Sequence, residues 1–280
     1  MKYAGLIGYP VAHSLSPRMH NAAFDTLGIN ARYLLWETPV DELEKSVQSL
    51  RAPAMFGANV TIPYKEAVLR WLDKLDPQAA RIGAVNTIVN QGGQLVGYNT
   101  DAPGFLRALE EHSRPEFKLC EKQIVLLGNG GAARGAAIAL LDSRVRALTI
   151  LGRNQEHIEM LLAHLRQYNG GSQLQEAVLD TPQASSALEV ADIVVNTTSV
   201  GLKPGDETRL LNVETLPTSA LVMDMIFNPP LTPLLRAAQE HGCAVLNGCS
   251  MLLYQGTLAL ELWTGRRAPE QVMRVALGLS

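Results

Sequence analysis

The chain is poor in cysteine, in long apolar runs and in blocks of like charge, and each shortage removes a class of function. Its 280 residues hold three cysteines, Cys120, Cys243 and Cys249, at irregular spacing. An odd number so placed suggests neither a disulfide framework nor a zinc site, so no metal is expected and a reducing cytoplasm fits. No apolar run is long enough to span a bilayer, and the opening MKYAGLIGYP meets Pro10 before a signal-peptide core could form. A soluble, unprocessed, cytoplasmic protein with no membrane partner is the expectation. The formal net charge of -3 is spread without long runs, which leaves no electrostatic footprint for nucleic acid. Internal repeats and low-complexity tracts are also lacking. A small molecule is the expected partner.

What the chain does have is apolar material, 47% hydrophobic against 18% charged, at a length where one core tends to become two. The first third alternates apolar runs (Tyr3 to Gly8, Tyr33 to Glu37, Gly57 to Val60) with amphipathic stretches (Pro17 to Gly28, Val40 to Leu50), a βαβαβ rhythm. A helix is expected from about Pro63 to Leu75, then two strands around Asn90-Gln91-Gly92-Gly93, closing the first unit at Asp101. A linking helix begins at Ala102, with Pro103 in its first turn, and the polar stretch HSRPEFK follows. From Gln123 a second α/β series reads as a doubly wound sheet: IVLLG, a helix from Ala132, LTIL, a helix from Glu156, ADIVVN, ALVMDM, a helix from Thr232, then CAVLN. Helices at about Met251 to Trp263 and Pro269 to Leu277 end the chain, free on this reading to pack on either domain. The expected fold class is α/β, with an N-terminal α/β substrate domain (1–101 plus 248–280) and a Rossmann-type dinucleotide-binding domain (102–247).

The segment IVLLGNGGAARG puts a buried-type strand before Gly128-Asn129-Gly130-Gly131-Ala132 and a small-residue helix after it. Gly128 and Gly130 permit a tight turn and close backbone approach, and the helix start offers free N–H groups and a positive dipole end to a pyrophosphate. At the end of the next strand, where an NAD enzyme usually places an acid on the ribose hydroxyls, stand Gly152-Arg153-Asn154. An arginine there suits a ribose 2′-phosphate, so NADP is the expected cofactor, with NAD the alternative.

In GYPVAHSLSPRMHN, Ser16 before Pro17 has the form of a helix N-cap, while two hydroxyls beside a helix N-terminus also suit a carboxylate. Thr61 in NVTIPYKEA has the same two readings. A cation in a first helical turn is mildly opposed by the helix dipole, so Lys65 is either a chemical residue or a plain surface charge, and the dipole argument adds weight to the first. Asp101 is either an N-cap or an acid of the site, Asn86 and Asn99 either turn formers or ligands, and Gln255 a lone amide in an apolar helix that is either exposed or ligand-binding.

Taken together, GYPVAHSLSPRMHN, GANVTIPYKEA, GAVNT, GYNTD, GNGGAARG, NTTSVGL, DMIFNP and NGCSMLLYQG occur in the order seen in shikimate dehydrogenases, and the whole chain resembles that family. The resemblance implies reversible, NADPH-dependent reduction of 3-dehydroshikimate to shikimate, a step toward chorismate and the aromatic amino acids, in a cleft between the domains. It implies that Ser14 and Ser16 hold the substrate carboxylate, that Thr61, Asn86, Asp101 and Gln255 hold ring hydroxyls with Asn59 in support, and that Lys65 and Asp101 are the catalytic pair. Gly128 to Ala132 would cradle the pyrophosphate, Arg153 would meet the 2′-phosphate, and Thr197, Ile226, Gly248 and Met251 would line the cofactor's remaining path. The C-terminal helices would return to the N-terminal domain. Three positions depart from the family pattern: Phe227 replaces a usual Tyr, His157 stands where a second basic residue is expected, and Ser250 replaces a frequent Gly. Phe227 keeps quinate, or both acids, open as substrate, and a silent dinucleotide sensor is a rival of another class, disfavoured because a sensor needs neither Lys65 nor Asp101.

Overall fold

A computed structural model describes residues 1–112, 118–203 and 205–279. Residues 113–117 of the polar stretch HSRPEFK lie outside the described residues. The chain divides into two compact units, Met1–Gly104 with Leu252–Ser280, and Phe105–Met251.

The first unit is built on six strands, β1 (Lys2–Gly8), β2 (Ala31–Glu37), β3 (Met55–Val60), β4 (Lys74–Leu75), β5 (Thr87–Gln91) and β6 (Gln94–Tyr98), in the order β2-β1-β3-β5-β6-β4. Strands β2, β1 and β3 run parallel, connected by α1 (Ser16–Thr26) and by a short 3-10 turn leading into α2 (Leu43–Ser49). Residues 4 to 8 of β1 are all buried, as a central parallel strand covered on both faces requires. The β5–β6 hairpin turns on Gly92 and Gly93, both at positive φ, which a two-residue hairpin loop of this twist demands.

The helix expected from Pro63 to Leu75 does not form. Turns cover 61–66, a 3-10 helix spans Ala67–Trp71, and Lys74–Leu75 joins the sheet as β4. Tertiary hydrogen bonds decide this. The Asp73 N–H donates to the Leu95 carbonyl at 2.9 Å, and its carboxylate accepts from the Leu95 N–H at 2.6 Å and from Arg51, so the backbone is drawn to the hairpin instead of continuing a helical ladder. The short helix α3 (Pro77–Ile82) has no counterpart in the sequence reading; Asp76 caps it by accepting from the Gln78 N–H, and Gly83 ends it at φ 68°. After α4 (Asp101–His112), which crosses the unit boundary, the chain returns to the first unit only within α9 (Cys249–Thr264), followed by α10 (Glu270–Ala276). The tail packs here: α10 lies against α1, Trp263 Nε1 donates to the Ile88 carbonyl at 2.9 Å, and Arg266 reaches the Leu27 carbonyl at 2.8 Å.

The second unit is a six-stranded, wholly parallel sheet of β7 (Gln123–Leu127), β8 (Ala147–Gly152), β9 (Gln173–Val178), β10 (Ile193–Asn196), β11 (Leu221–Asp224) and β12 (Ala244–Leu246), in the order β12-β11-β10-β7-β8-β9. Counted within the unit this is 3-2-1-4-5-6, the doubly wound dinucleotide-binding order, with its switch point between β7 and β10. Its helices are α5 (Gly131–Asp142), α6 (Gln155–Arg166), α7 (Pro182–Glu189) and α8 (Pro233–His241). Strand β9 and helix α7 are absent from the sequence reading. Strand β9 is an edge strand, QLQEAV, with only Ala177 fully buried, so its periodicity is faint.

Candidate functional site

In the first unit Ser16, Thr61 and Asp101 do not serve as helix N-caps. Leu15, not Ser16, is the N-cap of α1 and makes no side-chain cap. The Ser14 hydroxyl instead accepts from the Ser16 N–H at 3.2 Å and donates to the Ser16 hydroxyl at 3.1 Å. Thr61 caps no helix, since none begins there; its N–H donates to the Ile7 carbonyl at 2.9 Å and its side chain abuts Gly8. Lys65 therefore stands in a turn, and the helix-dipole argument that singled it out does not apply. At α4 the capping task falls to Asn99, whose side-chain oxygen accepts from the Ala102 N–H at 3.1 Å. That releases the Asp101 carboxylate.

Asp101 spends both oxygens on the site. Lys65 Nζ donates to Oδ2 at 2.7 Å, and Asn86 Nδ2 donates to Oδ1 at 2.8 Å. The Lys65 and Asp101 side chains are 25% and 20% exposed, so the pair is partly desolvated yet reachable. An ammonium has three N–H donors, and this contact uses one of them. Asn59 stands behind Asn86, donating to its carbonyl at 3.2 Å and to the Thr87 hydroxyl at 3.0 Å. Gln255 is buried, its amide donating to the Leu252 carbonyl at 2.8 Å; Gly104, three residues beyond Asp101, admits the Gln255 backbone where a Cβ would come within 2.8 Å of its nitrogen. Hydrogen bonds thus join Lys65, Asp101, Asn86 and Asn59 directly, and Ser14 with Ser16, while Thr61 and Gln255 share none of those bonds.

Two buried residues of this unit carry no role in the sequence reading. Tyr33, on β2, donates its hydroxyl to Asn59 Oδ1 at 2.8 Å; burial pushes its phenol well above the usual range, offset in part by a hydrogen bond with the Ser16 hydroxyl. His20 stacks on Tyr33 with ring centroids 4.4 Å apart, and neither ring nitrogen has a hydrogen-bond partner among the described residues. Burial pushes the His20 imidazole down to about 3. A buried Tyr in a strand and a His on an apolar helix face read as ordinary core from sequence.

In the second unit the site is made of backbone. Gly128 has φ +111°, and a Cβ there would stand 2.7 Å from the Thr197 hydroxyl, which itself donates to the Leu127 carbonyl at 2.6 Å. Only glycine suits both the conformation and the space. Gly130, the N-cap of α5, faces open space and supplies no side-chain cap, so neither strain nor packing within the protein demands a glycine there. The start of α5, with no side-chain cap, and the open space at Gly130 fit an incoming pyrophosphate. Arg153 is exposed directly after β8, and Asn154 caps α6 by accepting from the His157 N–H at 3.1 Å.

Strands β10 and β11 end in a buried polar knot that places the next two loops. The Asp224 carboxylate accepts from Asn196 at 3.1 Å, from the Ile226 N–H at 3.0 Å and from Thr232 at 2.8 Å, while Asn196 accepts from the Thr198 N–H at 2.9 Å. Burial raises the Asp224 carboxyl, against the pull of those three donors. Thr197 and Ile226 are held by this knot. The Gly248 N–H donates to the Ile226 carbonyl at 3.0 Å, and Met251 lies half-buried in the first turn of α9. Asn196 and Asp224 carry no role in the sequence reading, although NTTSVGL and DMIFNP contain them. Among the described residues, no group of three or more His, Cys, Asp or Glu is arranged to hold a metal ion, and no helix is long and apolar enough to cross a membrane.

Comparison with known proteins matches three stretches of the chain. Residues 6–88 match the model of the shikimate dehydrogenase substrate binding domain, 110–225 that of shikimate/quinate 5-dehydrogenase, and 248–277 that of the shikimate 5′-dehydrogenase C-terminal domain. The shikimate dehydrogenase (NADP(+)) of Symbiobacterium thermophilum is 45% identical over 273 residues, covering 97% of this chain and 92% of its own. Among solved structures, a shikimate dehydrogenase in complex with NADP+ superposes with a TM-score of 0.90 at 37% identity, over 99% of this chain and 94% of that one. The shikimate 5-dehydrogenase of Thermus thermophilus in complex with NADP(H) and shikimate gives 0.85 at 35% identity, over 99% of each chain. With an N-terminal polar site and a Rossmann sheet both matched along nearly the whole length, this chain belongs to the shikimate dehydrogenase family.

Proposed function

We propose that this protein interconverts shikimate and 3-dehydroshikimate with NADP as the redox partner. The observation that carries the reading is the Lys65–Asp101 pair, a partly buried cation and carboxylate 2.7 Å apart with Asn86 on the second carboxylate oxygen. A dinucleotide-binding module without chemistry would not need such a pair. Relatives and solved structures that carry shikimate dehydrogenase names and NADP+ or shikimate complexes support the choice of substrate and cofactor.

In the reducing direction the ketone oxygen gains negative charge. A Lys65 N–H not engaged by Asp101 would donate to that oxygen, stabilising the charge as it develops and supplying the proton that ends on the product hydroxyl. Asp101 holds the ammonium in place, and Asn86 holds Asp101. Ser14 and Ser16 would take the ring carboxylate, and Thr61, Asn86, Asp101 and Gln255 would hold the hydroxyls, with Asn59 in support. Gly128, Asn129, Gly130, Gly131 and Ala132 would hold the NADP pyrophosphate, Arg153 the 2′-phosphate, and Thr197, Ile226, Gly248 and Met251 the rest of the cofactor. NADP, when bound, supplies or accepts the hydride.

The test is nicotinamide absorbance with purified protein in four pairings, shikimate or quinate with NADP⁺ or NAD⁺. Turnover concentrated on shikimate with NADP⁺ is the expected result, and it would show that Phe227 is compatible with shikimate. Preference for quinate or NAD⁺ would assign a sister activity within the family, and no turnover in any pairing would sink the reading.

A further inference from the structure

Behind the reacting pair lies more buried polarity than a two-residue site requires. Tyr33, Asn59, Asn86, Thr87 and Thr100 are each between 0% and 5% exposed, and their side chains bond chiefly to one another. Burying a polar group is unfavourable unless every donor and acceptor is matched, so the arrangement can be read by counting hydrogens.

Asn86 has two amide hydrogens. One goes to Asp101 Oδ1 at 2.8 Å and one to the Thr100 hydroxyl at 3.0 Å, while its oxygen accepts from the Thr100 N–H at 2.7 Å. Asn59 also has two, which go to the Asn86 carbonyl at 3.2 Å and the Thr87 hydroxyl at 3.0 Å, both acting as acceptors. Its oxygen must therefore receive a proton, and the donor is the Tyr33 hydroxyl at 2.8 Å. Thr87 and Thr100 close the chain with their hydroxyls 3.0 Å apart and each 3.3 Å from the Asn86 side-chain oxygen. Every bond except that between the two hydroxyls, in which either can donate, has one sense only. The Asn86 amide cannot turn over without setting its oxygen against the Asp101 carboxylate and its N–H against the Thr100 N–H.

We propose that Tyr33, Thr87 and Thr100 are positioning residues for the dehydrogenase reaction: the directed chain they form with Asn59 locks the Asn86 amide with its N–H toward Asp101, and so fixes the carboxylate that holds Lys65. This rests on the functional reading above and deepens it. The residues act through Asn86 and need touch neither substrate nor cofactor. The chain starts at the Ser16–Tyr33 contact and ends at Lys65, so it also ties the serine end of the unit to the reacting end.

The experiment compares the full-length wild type with Thr87→Val, Thr87→Ser and Tyr33→Phe, using Thr149→Val as a control that removes a buried strand hydroxyl bonded to Gln175 in the second unit. Thr87→Val, which keeps the shape and loses the hydroxyl, should lower kcat for shikimate oxidation by about tenfold with KM for NADP⁺ unchanged. Thr87→Ser should restore kcat to within about twofold of wild type, and Tyr33→Phe, whose ring still stacks on His20, should fall between. Thr149→Val should leave kcat unchanged. A folded Thr87→Val with near-wild-type kcat overturns the proposal, as does a Thr87→Ser as slow as Thr87→Val, which would assign the effect to methyl packing. If Thr87→Val does not fold, a Tyr33→Phe of wild-type kcat overturns it. A second readout needs no turnover: in ¹⁵N-labelled protein the Asn86 side-chain amide resonances should move in Thr87→Val and Tyr33→Phe and return in Thr87→Ser. Unmoved resonances overturn the proposal even if the chain proves inactive on shikimate, whereas inactivity with moving resonances overturns only the functional reading.

Discussion

The two units prepare for their ligands by opposite means. In the first, the groups that face chemistry are side chains, Lys65, Asp101 and Asn86, held by a buried layer of further side chains. In the second, they would be backbone, the glycine-rich loop and the start of α5, which has no side-chain cap, while the buried Asn196–Asp224 knot sets the loops after β10 and β11. The difference follows from the ligands each would take. A ring with a carboxylate and several hydroxyls must be told from near copies, which takes directional side-chain donors and acceptors. A pyrophosphate is recognised by charge and by aligned N–H groups, which any residue supplies provided its Cβ stays out of the way.

The comparison can be broken by substitutions that should separate turnover from cofactor binding. Lys65→Ala removes the donor to the reacting oxygen and leaves the second unit untouched; kcat should fall by at least about a hundredfold while the KM for NADP⁺ stays nearly constant, and a variant with near-normal turnover would remove Lys65 from the chemistry. Gly128→Ala is the complement. The added Cβ meets the Thr197 hydroxyl at φ +111°, so the KM for NADP⁺ should rise by about tenfold with kcat at saturation little changed. If Gly128→Ala instead lowered kcat and spared KM, the division into a side-chain site and a backbone site would be wrong.

The smallest expected effect concerns pH and sharpens the contrast through one buried titrating group in each unit. His20 is pushed down from 6.5 to about 3, so between those values the unfolded chain takes up a proton that the folded chain refuses, and stability falls as pH drops through that window. Asp224 is raised by burial, so just above the ordinary carboxylate range its folded form binds more protons than the unfolded one, and acidification favours the fold there. Melting temperature followed by circular dichroism from pH 7 to 4.5 should therefore decline in the wild type and decline less in His20→Phe. Equal slopes in the two would show that His20 is not the group responsible.

Some of this is readable from residues alone. The glycine loop between a buried strand and a small-residue helix, the arginine after β8 and the ordered motif set need only local geometry and spacing, and the strands IVLLG and LTIL announce themselves because both faces are buried. Where the interactions are long-range, local rules mislead. Ser16, Thr61 and Asp101 all have the form of N-caps, yet Leu15 is the N-cap of α1, Asn99 supplies the capping acceptor at α4, and the third helix is absent because Asp73 bonds across to Leu95. Edge strand β9 is hidden because a half-exposed strand carries little period-2 signal.

By itself, then, the order of residues determined the two α/β series and the glycine turn after β7, and it marked Lys65 and Asp101 as candidates, because strand burial, glycine freedom and motif order are properties of neighbours along the chain. Only tertiary structure decided that Lys65 and Asp101, 36 positions apart, share a 2.7 Å contact, and that Tyr33, Asn59, Thr87 and Thr100 form the directed chain behind them. A buried hydroxyl or amide has no sense of direction until its partners are placed, and those partners come from different strands of the sheet.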